Sequence, residues 1–254
     1  MTLAAGLLLA GSGVAAEGGD EWGYEGAIAP ANWARLKWEW ALCELGVHQS
    51  PIDLSDANEV LFTDLEVFAG AVDMDVKRRI EVLDVLDNGH TVQYTPTANI
   101  SLDVDGEVYE LLQFHFHAPS EHTIEGRRFP LESHFVMGSE EGHLLVIGYV
   151  FEEGAANPDF EPVIEALPKG LGDSRRAQGD FQVQDIKPLQ ERFYAYPGSL
   201  TTPPCSEGVR WLVSAEPLQM SAQQLAAFDA VLHDNNRPIQ PRHVRVVLLV
   251  EPEG

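Results

Sequence analysis

Basic residues are scarce in this chain. It holds 16 Lys and Arg against 40 Asp and Glu, a formal net charge of −24. Such a chain repels phosphate backbones, which excludes nucleic-acid binding through a basic face. Long apolar runs are also missing: no uncharged stretch reaches the roughly 18 residues of a membrane helix. Two cysteines in 254 residues exclude a disulfide-dense mini-protein. No repeat, low-complexity tract or Pro/Gly-rich linker divides the chain. Core-forming material, in contrast, is plentiful. Hydrophobic residues make up 44% and aromatics 9%, enough for a full globular core at this length and incompatible with a disordered chain.

Residues 1–16 are read as a signal peptide cut after Ala16. Leu7-Leu8-Leu9 lies in an uncharged stretch, and Val14-Ala15-Ala16 supplies the small residues of a cleavage site. No Lys or Arg precedes Arg35, so the basic start of such a segment is missing and its true beginning stays open. Residues 17–254 then form a single domain. Export places the protein in the periplasm or outside the cell. In that oxidising setting Cys43 and Cys205 pair; without export they are two inert buried thiols.

Turn signals alternate with apolar runs at short intervals. Asn88-Gly89 separates Glu81-Val82-Leu83 from Thr91-Val92-Gln93-Tyr94, and Asp105-Gly106 separates Ile100-Ser101-Leu102 from Val108-Tyr109. Both dipeptides predict two-residue type I′ hairpins, because that turn needs positive φ. Helix signals are few. Ser221 and Gln224 form a capping box ahead of Leu225, Phe228 and Leu232, and Asn157-Pro158 opens a stretch with Val163, Ile164 and Leu167 on one face. The predicted fold is mainly β (α+β): a large, mostly antiparallel sheet with short peripheral helices.

Within this pattern Gln113-Phe114-His115-Phe116-His117 reads as a strand. Alternation puts Gln113, His115 and His117 on one face and the two Phe on the other. A lone His-x-His is a weak signal, as common among surface histidines as among ligands. Glu132-Ser133-His134 is a second strand-like run with Glu132 and His134 on one face, and a neighbouring strand would bring His134 beside the first pair. Three neutral imidazoles leave zinc one open position, the catalytic arrangement. Gln113 and Glu132, each two residues before a His, are suited to accept the second ring N–H of a ligand.

These stretches occur in company. Trp22-Gly23-Tyr24, Gln49-Ser50-Pro51-Ile52, Asn88-Gly89-His90, Ser120-Glu121-His122-Thr123 and Tyr196 to Pro204 complete a set that resembles the α-class carbonic anhydrases of exported bacterial type. The resemblance implies a twisted central sheet with Zn2+ at the base of a conical cleft, held by His115, His117 and His134 with Gln113 and Glu132 behind them. It implies reversible hydration of carbon dioxide to bicarbonate and a proton, by attack of zinc hydroxide. Thr201 would orient that attack through Glu121, and His90 would shuttle the proton. Val136, Val146, Leu200, Val209 and Trp211 would form the apolar pocket for carbon dioxide. Tyr24, Asn88, Gln93 and Thr202 would order cleft waters. The resemblance also suggests cis bonds at Ser50–Pro51 and Pro203–Pro204. Ala118-Pro119 departs from the Trp-Gly usual in animal members.

Two other classes of function compete with this reading. An inactive binding module of the same fold typically lacks a zinc ligand, whereas all three are present here. A zinc-dependent esterase would use the same site on activated esters. The partner expected is the small-molecule pair carbon dioxide and bicarbonate; a homodimer stays open. The acidic surface suits a saline or alkaline exterior, while 12 Arg beside 4 Lys fits a high-GC genome equally well.

Overall fold

The computed structural model describes residues 21–59, 80–97, 100–104, 106–181 and 192–250. The signal-peptide residues 1–16 lie outside the described residues.

One large sheet dominates. Its strands run in the order Ser174–Phe181, Ile80–Asp87, Val92–Pro96, Glu107–His117, Leu131–Ser139, Leu144–Glu153, Glu207–Ser214, Phe193–Ser199, Leu248–Val250 and Asn58–Glu59. Neighbours are antiparallel except Leu144–Glu153 with Glu207–Ser214 and Leu248–Val250 with Asn58–Glu59. Ser101–Val104 pairs antiparallel with Glu107–His117, and Leu218–Met220 pairs parallel with Leu144–Glu153. The mostly antiparallel sheet predicted from the turn spacing is the one observed.

The central strands are covered on both faces, so Leu144–Glu153 reads as a nearly continuous buried run instead of alternating. One face carries an aromatic core. Phe114 stacks on Tyr94 at 4.8 Å and on Phe135 at 5.1 Å, and Phe116 lies 4.5 Å from Phe228. Phe228 and Leu232 come from the helix Ala222–Leu232, whose capping box of Ser221 and Gln224 is complete. Asn157 caps the short turn Pro158–Phe160 ahead of the helix Glu161–Glu165, which buries Val163. The other face of the sheet carries the histidines.

The two expected hairpins differ. Val104 pairs with Glu107, leaving two residues between the strands, with Gly106 at φ +77°; Asp105 lies outside the described residues. Asp87 pairs with Val92, so the Asn88-Gly89 connection spans four residues and is not a two-residue type I′ turn. Gly89 has positive φ and Asn88 does not. Asn88 instead folds the loop through its side chain, Oδ1 accepting the N–H groups of His90 and Thr91 at 2.9 Å each.

Cys43 and Cys205 are joined, and both are buried. The bridge ties the helical turns Trp33–Leu36, Trp38–Trp40 and Leu42–Leu45 to the loop after Thr201. The Ser50–Pro51 and Pro203–Pro204 bonds are cis as expected, and so is Ala118–Pro119.

Candidate metal centre

The sheet register assembles the site. Gln93 stands opposite His115, His115 opposite His134, and His134 opposite Gly148. In the next row Gln113, Val136, Val146, Trp211 and Tyr196 face one another in turn. Paired residues share a face, so the ligand row and the apolar row lie side by side. Gly148 is needed here: a Cβ would meet Glu132 Oε1 at 3.2 Å and Val213 at 3.4 Å.

His115, His117 and His134 each present a ring nitrogen, and these nitrogens lie within 4.8 Å of one another. The second nitrogens are engaged. His115 Nδ1 donates to Gln113 Oε1 at 2.9 Å, His117 Nδ1 to the main-chain oxygen of Asn235 at 2.7 Å, and His134 Nε2 to Glu132 Oε1 at 2.8 Å. That leaves Nε2, Nε2 and Nδ1 facing inward. His117 Nε2 is buried with no hydrogen-bond partner, which is costly unless an electron-pair acceptor sits there. Burial, then the neighbouring imidazoles, push His115 well below its ordinary pKa; burial pushes His117 down against the pull of Glu121. Neutral rings are what a metal needs, so the donor set fits a zinc ion.

Glu132 does more than serve His134. Its Oε1 also accepts His122 Nδ1 at 2.7 Å, and its Oε2 accepts the N–H groups of Glu121 and His122 at 2.8 Å each. Burial alone would raise this carboxyl, but His122 and His134 hold it well below the usual range. His122 passes the chain on through Nε2 to the Tyr196 hydroxyl at 2.6 Å, which meets Ser50 Oγ at 2.9 Å. His122, Glu132 and His134 also have metal-ligand spacing. Their facing atoms are already hydrogen-bonded to one another, so that trio is a proton-bearing network and not a second ion site.

Glu121 is fully buried. Oε1 accepts the Arg237 N–H at 2.7 Å. Oε2 has no hydrogen-bond partner and lies 3.5 Å from His117 Nε2 and 3.9 Å from His134 Nδ1. The expected Thr201 hydroxyl bond to this oxygen is therefore not formed here. Thr201 itself is buried, on the loop between the strand end at Ser199 and the disulfide at Cys205.

Val136, Val146, Leu200, Val209 and Trp211 all belong to one apolar cluster, and the Trp211 ring lies 4.8 Å from His134. Trp211 is fixed by Nε1 donating to Ser199 O at 2.9 Å. The His90 ring stacks on Trp22 at 3.7 Å. Tyr24 packs edge-on against Trp22 and Trp33, and burial with the nearby Glu121 charge raises its pKa well above the usual value. Asn88 Oδ1 is spent on its own turn, Gln93 Nε2 donates to Thr95 Oγ1 at 3.2 Å, and Thr202 O accepts the Cys205 N–H.

Sequence reasoning missed Asn235 and Arg237. Beyond its bond to His117, Asn235 accepts Ala118 N–H at Oδ1 and donates from Nδ2 to His90 O and Phe116 O, each at 3.0 Å. Arg237, buried, donates its guanidinium to Gln49 Oε1, Ser50 O and Cys43 O. Burial lowers it to about 10, still cationic at neutral pH.

A family model for eukaryotic-type carbonic anhydrases matches residues 29–251. The carbonic anhydrase of Pectobacterium atrosepticum is 40% identical over 229 residues, 89% of this chain and 90% of the relative. Among solved structures, the α-carbonic anhydrase of Thermovibrio ammonificans, in complex with the inhibitor sulfanilamide, superposes with a TM-score of 0.81 at 40% identity, covering 91% of this chain and 100% of that one. The Photobacterium profundum α-carbonic anhydrase gives 0.80 at 35% identity, over 89% and 99%. Sequence, sheet order and the three convergent histidines agree, and the chain belongs to the α-class, or eukaryotic-type, carbonic anhydrases, the family that hydrates carbon dioxide.

Proposed function

We propose that this carbonic anhydrase is an exported zinc enzyme that interconverts carbon dioxide and bicarbonate and moves its proton through His90. The observation that carries the zinc assignment is His117 Nε2, buried and unpartnered beside two further imidazole nitrogens. His115, His117 and His134 would hold the ion; when bound, zinc is a Lewis acid that makes hydroxide available near neutral pH.

The chain's own residues then have separable tasks. Gln113, Glu132 and the Asn235 carbonyl aim the three rings by accepting their outer N–H groups. The wall of Val136, Val146, Leu200, Val209 and Trp211 offers a small apolar substrate a surface that binds water poorly. Glu121 Oε2, when ionised, can only accept a hydrogen bond, and its unmet demand is what the nearby loop hydroxyl of Thr201 would answer. A Thr201 that donates to Glu121 must present its lone pairs, not its proton, to the attacking group. Tyr24, Asn88, Gln93 and Thr202 would line the water path.

His90 answers a rate problem. A proton leaving a group of pKa about 7 straight to bulk water departs at no more than about 10³ s⁻¹, because recombination is limited to about 10¹⁰ M⁻¹s⁻¹. A rate of about 10⁶ s⁻¹ is known for a carbonic anhydrase, and it needs a local acceptor titrating near neutrality, which imidazole is. Trp22 stacks on the His90 ring, and Asn235 links its backbone to the His117 strand. The Cys43–Cys205 bridge agrees with export to the periplasm or beyond. No helix among the described residues is long and apolar enough to cross a membrane.

Carbon dioxide hydration with and without a chelator tests the zinc assignment: activity must vanish and return with zinc, and activity that survives complete metal removal refutes it. His90→Ala should lower kcat severalfold, leave kcat/KM nearly unchanged, and recover in concentrated imidazole. An unchanged kcat in dilute buffer removes His90 from proton transfer.

A further inference from the structure

The segment from Trp33 to Val47 is apolar on two opposite faces. Trp33, Trp40 and Cys43 point inward and are buried together with Cys205. Trp38, Leu42 and Leu45, spaced four and seven residues apart, fall on the other side of the same helical turns. They are exposed by 83, 42 and 73%, and Val47 beside them by 55%. A helical segment apolar all round is ordinarily covered all round, and a contiguous exposed apolar group marks a contact surface.

Charge says what can cover it. The whole chain carries −24, so two copies repel over most of their surface. This segment is locally neutral: Arg35 and Lys37 lie toward its start, Glu39 and Glu44 further along. Arg35 and Glu44, both exposed, approach to 3.8 Å within the chain. A two-fold axis that sets two such segments antiparallel places the basic start of each opposite the acidic end of the other. It also packs Trp38, Leu42 and Leu45 against their own copies. A neighbouring part of the chain is a poor rival cover, because residues 17–20 are Glu-Gly-Gly-Asp and offer no apolar side chain. The disulfide at Cys43 holds the segment in place before any partner arrives, which lowers the ordering cost of association.

We infer that the face formed by Trp38, Leu42, Leu45 and Val47 is a self-association surface that pairs two copies of this chain about a two-fold axis, with Arg35 of each opposite Glu44 of the other. The contact is isologous, so it closes at a dimer. Trp38 is its anchor, the residue type that most often carries binding energy at interfaces. The inference does not rest on the zinc or proton-shuttle assignments, since none of these residues belongs to the site.

Sedimentation equilibrium on the full chain is the test, with carbon dioxide hydration measured on every variant to show that the fold is intact. The wild type should be a dimer at micromolar concentration. Trp38→Glu and Leu45→Glu should each be monomeric with hydration unchanged. Arg35→Glu and Glu44→Arg should each weaken self-association about tenfold or more, since each sets like charges across the axis. Mixed together, these two variants should dimerise again, because both cross-axis contacts then join opposite charges while the pair inside each chain stays broken. A monomeric wild type overturns the inference. So does a dimer that survives Trp38→Glu and Leu45→Glu, or a mixture that fails to associate. A monomer whose Trp38 fluorescence shifts on neutral phosphatidylcholine vesicles assigns the face to a lipid surface and equally refutes the dimer.

Discussion

Glu132→Gln is nearly isosteric, and the structure sets its cost. The carboxylate receives four hydrogen bonds, two at Oε1 from His122 and His134 and two at Oε2 from the backbone of Glu121 and His122, all between 2.7 and 2.8 Å. An amide must turn its NH2 toward one of these pairs. Either orientation sets donors against donors and leaves two buried N–H groups unsatisfied, at about 1–3 kcal/mol each, or about 4 kcal/mol in all. If the NH2 faces the imidazoles, His134 loses the acceptor that fixes its tautomer, and zinc affinity should fall about 10- to 100-fold. If it faces the backbone, the Glu121 segment shifts and stability takes most of the loss. Competition against a calibrated chelator measures the first, and urea unfolding of the metal-free protein the second. A variant that matches wild type in both zinc affinity and unfolding midpoint would show that the four-donor environment is not energetically real, and the argument would fail.

Thr201→Ala should retain zinc at full stoichiometry while lowering kcat/KM for carbon dioxide; equal kcat/KM would remove its orienting role. Ser133→Ala should be neutral or stabilising, because Ser133 Oγ is buried with no partner. Removing it should gain about 1 kcal/mol, a rise in melting temperature of about 2–4 °C for a domain this size, and a clear drop would contradict the orphaned hydroxyl. Thiol titration of the unreduced protein should find no free cysteine. Reduction should then lower stability by up to about 5 kcal/mol, since the bridge spans a separation of 162 residues; an unchanged unfolding midpoint would show that the bridge constrains little.

The sheet and the ligand trio were legible because strand alternation is a strict period. His115 and His117 had to share a face, and the pairing of His115 with His134 followed from a neighbouring strand in register. The capping box at Ser221 was legible for a similar reason, as it is written in side chains. The Asn88-Gly89 turn was misjudged because Asn88 tightens the loop by accepting N–H groups instead of adopting positive φ. The third outer-nitrogen acceptor was invisible. Gln113 and Glu132 announce themselves by type and spacing, whereas Asn235 serves His117 through a carbonyl oxygen that every residue possesses. Arg237 was hidden in the same way, since the group that holds Glu121 is its backbone N–H.

That choice of a carbonyl orders events in time. The ligands are all present once His134 has been made, yet the acceptor for His117 lies 118 residues beyond it in the chain, and the donor for Glu121 lies 116 beyond that residue. A fragment ending before Asn235 owns three imidazoles but lacks the support for one of them and half the clamp on the buried acid. Metal capture at full strength is therefore postponed until the last part of the chain has docked against the sheet. A transplant of the three histidines with Gln113 and Glu132 into another scaffold would inherit this unfinished state, unless a loop from elsewhere were routed past His117 to lend it an oxygen.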